Sequence, residues 1–598
     1  MYLFRSRLIP WVLLLTFAAA FLYQEKRWIS YASHMGDENM HIVSGYLKVR
    51  HNDYTMAAYQ PPLSAMLEAL PLLWLNIKTP FEHESWKINH WHTFGDVLIY
   101  DSNPPAVRDQ MFVYARWMNV LQTLGLMALV AYWVYQNCGI WGSVLAMGLL
   151  AFDPNIIAQS GSARIDMGPV CFTVLALYCF RNLCLQPGRR QAWLAGMTFA
   201  LAMLTRSYSL VLIPLYLGIA AVLFWRSARF REQLVAWQGS PWRALLRTGG
   251  IFIASFTVLL LLVYRFEFRP LFDHVANGPE KIAVVDRLIG DRPELKAHAH
   301  HFLYQVPIPA RSCWMSWPYV LKVFVSPHYK ITPNPKIRVD RPWYAATVNT
   351  WRKSTLGFST LLLVASLLLI LNLRAVKDFD LLFLSGAFAF SFVLFILKMN
   401  IHGINHAMLL YPLAAMIIPM VYLRCLRVGL RWPKDDGVAH VPTVALQYVI
   451  GLFIVFNLFN HMLEPKRVAP NFLAFFNSLS GGPEVAYRYF DERAPEIDFP
   501  QYSDLDWGQN FKVIKQATLK YKIATLYVDQ EYAESMYRYF EHYGIPYQAL
   551  SQAQLTTQAP AGWYYIGLRR ATSIPALARL KPVEVLGYAA GLYMLERR

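Results

Sequence analysis

Long uncharged apolar runs, separated by short basic loops, dominate the chain. Residues 11–23, 251–264 and 361–373 carry almost no charge. With their neighbours, each approaches the roughly 20 residues needed to cross a bilayer. Eleven such segments are expected, at about 8–24, 112–135, 140–157, 167–185, 192–206, 208–225, 249–266, 356–373, 381–397, 407–424 and 443–461. The basic loops set an orientation. Arg5 and Arg7 precede the first segment, and Arg181, Arg189 and Arg190 follow the fourth. Arg226, Arg229, Arg231, Arg243 and Arg247 fill the next loop on that side, then Arg374 and Lys377, then Arg424, Arg427, Arg431 and Lys434. All fall on one face if the N-terminus is cytoplasmic, as the positive-inside rule requires. The opposite face then receives three large pieces, 25–111, 267–355 and 462–598. The first segment could instead be a cleaved signal peptide, because Ala18, Ala19 and Ala20 are small. Either way, 25–111 lies outside.

The pattern changes after residue 461. Helical spacing is expected over 510–521 and 531–543, with strands at 523–528, 563–568, 583–586 and 592–595. Strand and helix alternation of this length predicts a small α/β domain. The expected fold is an α-helical polytopic membrane protein of about 11 transmembrane helices with a C-terminal extracytoplasmic α/β domain. Its membrane domain is 1–461, with outer loops 25–111 and 267–355, and its outer domain is 462–598.

Composition agrees: 56% of the 598 residues are hydrophobic and 16% are charged. A soluble chain carries roughly a quarter charged residues. The net charge of +18 could suggest nucleic acid. That class is excluded here because the basic residues sit in short loops beside apolar segments. The six cysteines form no CxxC pair and read as small buried hydrophobes.

Candidate chemistry gathers in the first outer loop. It opens Gly36-Asp37-Glu38-Asn39-Met40-His41 and continues through Gly45-Tyr46, Asn52-Asp53-Tyr54, Gln60-Pro61-Pro62-Leu63 and Ala69-Leu70-Pro71. Two adjacent carboxylates soon after a membrane helix can be desolvated at the interface and so suited to proton abstraction. Pattern alone favours a solvated acidic pair that caps a loop helix.

The order of these motifs resembles bacterial and archaeal members of glycosyltransferase family 39, of the GT-C type, relatives of protein O-mannosyltransferases and of the lipid A aminoarabinose transferase. The resemblance runs along nearly the whole chain. It continues in Asp153-Pro154-Asn155, Ala163-Arg164-Ile165-Asp166, Leu204-Thr205-Arg206-Ser207 and Lys353-Ser354-Thr355-Leu356. Asn400-Ile401-His402-Gly403 through His406, Tyr411-Pro412, Phe475-Phe476-Asn477, Gly481-Gly482-Pro483 and Asp504-Leu505-Asp506-Trp507-Gly508-Gln509 complete it. The resemblance implies a sugar donor on polyprenyl phosphate and an acceptor hydroxyl on a protein, glycolipid or polysaccharide at the outer face of the cytoplasmic membrane. It implies Asp37 as the base, with Glu38 and Asp166 orienting the acceptor or holding the base. His41, Arg164, Arg206, Lys353 and His406 would contact substrate, the cations serving the leaving phosphate. Taken singly, those cations could equally anchor to lipid headgroups. Three departures stand out. Gln60 replaces the usual His before Pro-Pro, Asn405 replaces the usual Arg, and an insertion occupies about 492–500. The Asn405 change puts one phosphate contact in doubt.

Two histidine clusters, His83, His90 and His92 in the first loop and His298, His300 and His301 in the third, have spacings that can bind a divalent metal. No carboxylate or thiol pattern accompanies them, and the expected site has no metal ligand. No nucleotide-binding loop is present, which fits a lipid-linked donor. The competing classes are a lipid-linked substrate transporter or flippase, which predicts internal repeats and charges within the spans, and a non-catalytic membrane scaffold.

Overall fold

A computed structural model describes residues 8–57, 60–272, 285–287, 289–311, 313–314, 344–371, 378–398, 404–428, 431–434, 437–440, 443–489 and 505–596. Arg5, Arg7, Arg374 and Lys377, the 400–403 stretch, the 492–500 insertion and Asp504 lie outside the described residues. A helix occupies each of the eleven expected apolar segments. By length and composition, six of the described helices can cross a membrane, or seven if a bent pair counts as one span. The protein is a multi-pass membrane protein. The bent pair is Ile140–Ala151 and Pro154–Ser160, turned by 65°. Its break follows from the sequence. Pro154 lacks the N–H that would continue the first helix, and the Asp153 carboxylate caps the second, accepting from the Asn155 and Ile156 N–H groups at 2.9 and 3.0 Å.

The chain divides into two compact units. The first contains Met1–Gly36, Val120–Ser162 and His328–Arg598. Within it the Ile9–Tyr31 and Leu410–Val428 helices pack on Ile140–Ala151, and Leu356–Leu371 packs on Thr443–Leu463. At the last crossing a Cβ on Gly357 would lie 2.1 Å from the Asn457 carbonyl oxygen, so the two backbones touch through glycine. Also in this unit is the tail's α/β fold. Its strands are β1 (Leu526–Asp529), β2 (Tyr547–Leu550), β3 (Gly562–Gly567), β4 (Glu584–Leu586) and β5 (Ala590–Leu595), in the order β2-β1-β3-β5-β4. The β1 strand runs parallel to β2 and β3, while β5 is antiparallel to β3 and β4. The helices Phe511–Lys520 and Gln530–His542 fall close to the expected 510–521 and 531–543. The sequence reading missed β2. It is four residues long with two exposed positions, too short for alternation to show.

The second unit contains Asp37–Asn119 and Ala163–Pro327. Here Arg189–Thr205 packs against both Met167–Leu185 and Pro241–Val263. The Glu38–His51 helix packs against Leu63–Ala69 and Trp91–Asp96. Its core joins Ile42, Val43, Tyr46 and Leu47 to Leu72, Phe94, Leu98, Met111, Phe112 and Ala163.

Candidate active site

Asp37 is the N-cap of the Glu38–His51 helix, and its backbone is left-handed, with φ 68°. A short polar side chain tolerates that conformation better than most, and non-glycine residues held there cluster at functional sites. Its carboxylate accepts no capping hydrogen bond. Asp37 is half-buried, and the whole helix from Glu38 to Val49 is buried. Burial pushes the Asp37 carboxyl above the ordinary range, against the pull of Arg164 and His92, and the Asp166 charge adds to the rise. A carboxyl raised in this way is a candidate for proton transfer.

Glu38 is fully committed. Arg116 donates from Nε to Oε1 at 2.8 Å and from Nη2 to Oε2 at 2.6 Å. The Ala163 N–H donates to Oε1 at 2.7 Å. Both side chains are buried. A bidentate pair of this kind fixes orientation as well as charge. It ties the start of the helix to the Pro105–Cys138 helix and to the turn before Asp166. The sequence reading missed Arg116, although a lone Arg at the edge of an apolar run was a usable signal.

Asp166 immediately precedes the Met167–Leu185 helix. Its Oδ1 accepts from Arg206 Nη1 at 2.6 Å, and its Oδ2 lies 3.9 Å from Arg164 Nε. Arg206 also donates to the Ile165 carbonyl at 3.0 Å, and its side chain keeps 23% exposure. Of the two arginines it is the one open to a ligand. The charges of Asp166, Arg206, Arg164 and Lys48 all act on His41. Burial and the cations outweigh Asp166 and lower its pKa to about 3, so the ring is neutral. The structure thus gathers Asp37, Glu38, His41, Arg164, Asp166 and Arg206 in one unit.

Three further ionisable residues lie near them; Lys48 and Glu68 were not anticipated, and His92 belongs to the first-loop histidine cluster. Lys48 is buried, donates to Ser44 Oγ and to the Met56 carbonyl at 3.1 Å, and is lowered to about 7 by burial. His92 lies beside Asp37 and is lowered by burial. Glu68 is buried, and neither carboxyl oxygen is hydrogen-bonded to any described residue. His83 and His90 cap helices, accepting from the Ser85 and Thr93 N–H groups, and His300 pairs with Asp286 at 2.7 Å.

Lys353 and His406 belong to the first unit. Lys353 is fully buried: its Nζ donates to the Leu473 carbonyl at 2.6 Å and sits 4.7 Å above the Phe476 ring. The motifs around it interlock. Asn155 Nδ2 donates to the Lys353 carbonyl at 2.7 Å and to Tyr411 Oη at 3.1 Å. Asn477 Nδ2 donates to the Trp351 and Ser354 carbonyls at 2.7 and 3.2 Å. His406 lies on the Ile404–Ala407 turn and is exposed.

Residues 46–272 match the sequence model of the dolichyl-phosphate-mannose-protein mannosyltransferases. That segment is similar to the protein mannosyltransferases. It covers Arg116, Arg164, Asp166 and Arg206 and begins after Asp37, Glu38 and His41. No curated protein matches the chain in sequence. Among solved structures, one similar chain is the Archaeoglobus fulgidus oligosaccharyltransferase AglB in complex with an inhibitory peptide and a dolichol-phosphate. Identity is 12% and TM-score 0.39, covering 75% of this chain and 55% of that one. The chain therefore spans about half the length of that relative. Another is ArnT from Cupriavidus metallidurans bound to undecaprenyl phosphate, at 12% identity and TM-score 0.29, covering 97% of each chain. The apo form of ArnT gives 12% identity and TM-score 0.30 over 98% of each chain.

Proposed function

We propose that the protein is a GT-C-type membrane glycosyltransferase that moves a sugar from a polyprenyl-phosphate-linked donor to an acceptor hydroxyl at the outer face of the cytoplasmic membrane. The carrying observation is the Asp37 carboxylate: uncapped, half-buried and raised in pKa, beside the Asp166–Arg206 pair and Arg164. The match of residues 46–272 to a mannosyltransferase family supports the donor class.

In this reading the acceptor oxygen attacks the anomeric carbon from the face opposite the phosphate. As the new carbon–oxygen bond forms, the hydroxyl proton passes to Asp37. The bond from the anomeric carbon to the phosphate oxygen breaks, and its electron pair leaves on the polyprenyl phosphate. The configuration inverts. Base assistance of this kind contributes roughly 10²–10⁴ in rate. Arg206 and Arg164 neutralise the charge developing on the phosphate, and neutral His41 adds a hydrogen bond without adding charge. Asp166 holds both arginines, and Glu38 holds the helix that presents Asp37. Lys353 is already engaged by the Leu473 carbonyl, so Arg206 is the cation on which the reading depends. His406 is exposed and suited to the lipid headgroup region.

The test is sugar transfer by purified protein in lipid nanodiscs, supplied with a panel of polyprenyl-phosphate-linked hexoses and pentoses and with extracted envelope acceptors. Release of free polyprenyl phosphate that requires Asp37 supports the reading. No release from any donor in the panel overturns it.

A further inference from the structure

The Leu63–Ala69 helix carries two polar residues one turn apart, Ser64 and Glu68, which therefore share a face. Both are fully buried. The Ser64 hydroxyl and both Glu68 carboxyl oxygens have no hydrogen-bond partner among the described residues. Buried polar atoms are paired in the great majority of cases, so three orphans on one helical turn need a cause.

The rotation of this helix is fixed by packing. A Cβ on Gly45 would lie 2.0 Å from the Ala65 carbonyl oxygen and 3.0 Å from the Ala69 Cβ, so the two backbones meet at Ala65 and Ala69. Ser64 and Glu68 are held where they are by that contact. Glu68 feels the charges of Glu38, Asp166 and Arg164. It therefore borders the candidate active site. Glu38 is held by Arg116 and the Ala163 N–H, and makes no hydrogen bond to Glu68.

An ionised carboxylate buried without a partner is very costly. Glu68 is accordingly held well above the usual carboxylate range, by burial first and then by Glu38 and Asp166. Burial without a partner favours its neutral, carboxylic acid form. A carboxylic acid and an alcohol each donate one hydrogen bond and also accept. Their complement is a set of groups that also donate and accept, namely the hydroxyls of a neutral sugar. A phosphate is poorly served here, since Glu38 and Asp166 oppose its charge and Arg164 is already drawn to Asp166. We propose that Ser64 and Glu68 form the subsite that holds hydroxyl groups of the donor's sugar and so selects it. The inference rests on the glycosyl-transfer reading and assigns its sugar contacts.

The experiment measures binding to protein in nanodiscs of two kinds of probe: bare polyprenyl phosphate, and polyprenyl phosphate bearing mannose, glucose or galactose. Wild-type protein is expected to bind at least one hexose-bearing lipid about tenfold more tightly than the bare lipid, the worth of one or two hydrogen bonds. Glu68→Leu should bind both at the bare-lipid affinity, and Glu68→Gln, which keeps a donor and an acceptor, should recover part of the difference. A hexose increment unchanged in the Glu68→Leu and Ser64→Ala double variant overturns the subsite and leaves both groups to a buried water. Binding of the bare lipid without any hexose increment also overturns it, while sparing the glycosyl-transfer reading. No binding of the bare lipid overturns that reading and the subsite together. Thermal unfolding checks the fold of each variant. An infrared carbonyl band of a protonated carboxyl, present in wild type and absent in Glu68→Gln, checks the neutral acid without any ligand. Its absence from wild type overturns the assignment.

Discussion

Keeping Asp37 ionised works against the fold. Its carboxyl is raised in the folded protein, so the folded state holds the proton more tightly than the unfolded chain does. Ionisation then costs stability, beginning as pH rises past the ordinary aspartate value of 3.8 and complete above the raised value. Asp37→Asn removes the charge and keeps the shape. It should abolish sugar transfer yet unfold at a higher temperature than wild type at neutral pH, with the gap closing as pH falls. A lower unfolding temperature at neutral pH would count against the burial argument. Near-normal transfer would remove the base assignment and move suspicion to Asp166. Transfer by wild type should fall, on the acid side, through a pH above the usual carboxylate range, because only the ionised form accepts the proton. Arg206 invites a second substitution. Arg206→Ala removes the partly exposed cation and leaves Asp166 with Arg164 at 3.9 Å, and should lower the turnover number by roughly 10²–10³. Arg206→Lys should restore part of it, as a point charge without the planar guanidinium whose Nη1 bonds both Asp166 and Ile165. Wild-type turnover in Arg206→Ala would make this residue a lipid anchor.

At the scale of elements, the site depends on how one buried helix is clamped. The Glu38–Arg116 pair closes its N-terminal end, and removing one partner of a buried pair costs about 3–5 kcal/mol because the other charge is stranded. Glu38→Ala should therefore unfold in mild detergent titration, whereas a Glu38→Met and Arg116→Met double variant should regain most of the loss while transferring no sugar. If the double variant is as unstable as the single one, the pair is not what holds the helix. Gly45 closes the other side. Gly45→Ala sets a methyl against the Ala65 carbonyl, and backbone has no rotamer with which to yield, so roughly 1–3 kcal/mol should be lost. These clamps show where the sequence was legible. Apolar length announced the eleven helices, and alternation in the tail announced β1, β3, β4 and β5. The Asp37-Glu38 step was visible because charge stands out after an apolar run. Lys48 was not visible, since the Glu38–His51 helix is buried on every side as far as Val49 and has no solvated face against which a buried charge looks misplaced. Glu68 was not visible because the Leu63–Ala69 helix buries its polar Ser64 and Glu68 and leaves Leu63, Met66 and Leu67 partly exposed, the reverse of the usual pattern. Lys353 was expected at the open end of a span, but a local motif does not reveal that Leu473 and Phe476, more than a hundred residues later, close over it.

For the whole molecule, the open matter is the side on which the α/β tail lies. The glycosyl-transfer reading needs the loop beginning at Asp37 on the outer face, where lipid-linked sugars are presented. Helices at all eleven expected segments would place the two ends of the chain on opposite sides if every one crosses, and an odd count remains if the bent pair at 65° crosses once. Arg181, Arg189 and Arg190, like Arg226, Arg229 and Arg231, then sit on the cytoplasmic side with the N-terminus, as basic loops prefer. Each helix that fails to cross would flip every loop after it, so the position of the last residue reports the parity of the whole set. A reporter active only in the cytoplasm, fused after Arg598, should stay silent, and one active only outside should light up. The same pair fused after Arg190 should give the reverse. Cytoplasmic activity after Arg598 with the expected result after Arg190 would place the error beyond residue 190 and spare the first loop. Outside activity after Arg190 would place an error among the first four segments, and the same pair of reporters fused after Asn103 then decides whether the Asp37 loop itself lies inward, which would remove the membrane face on which the proposed reaction depends.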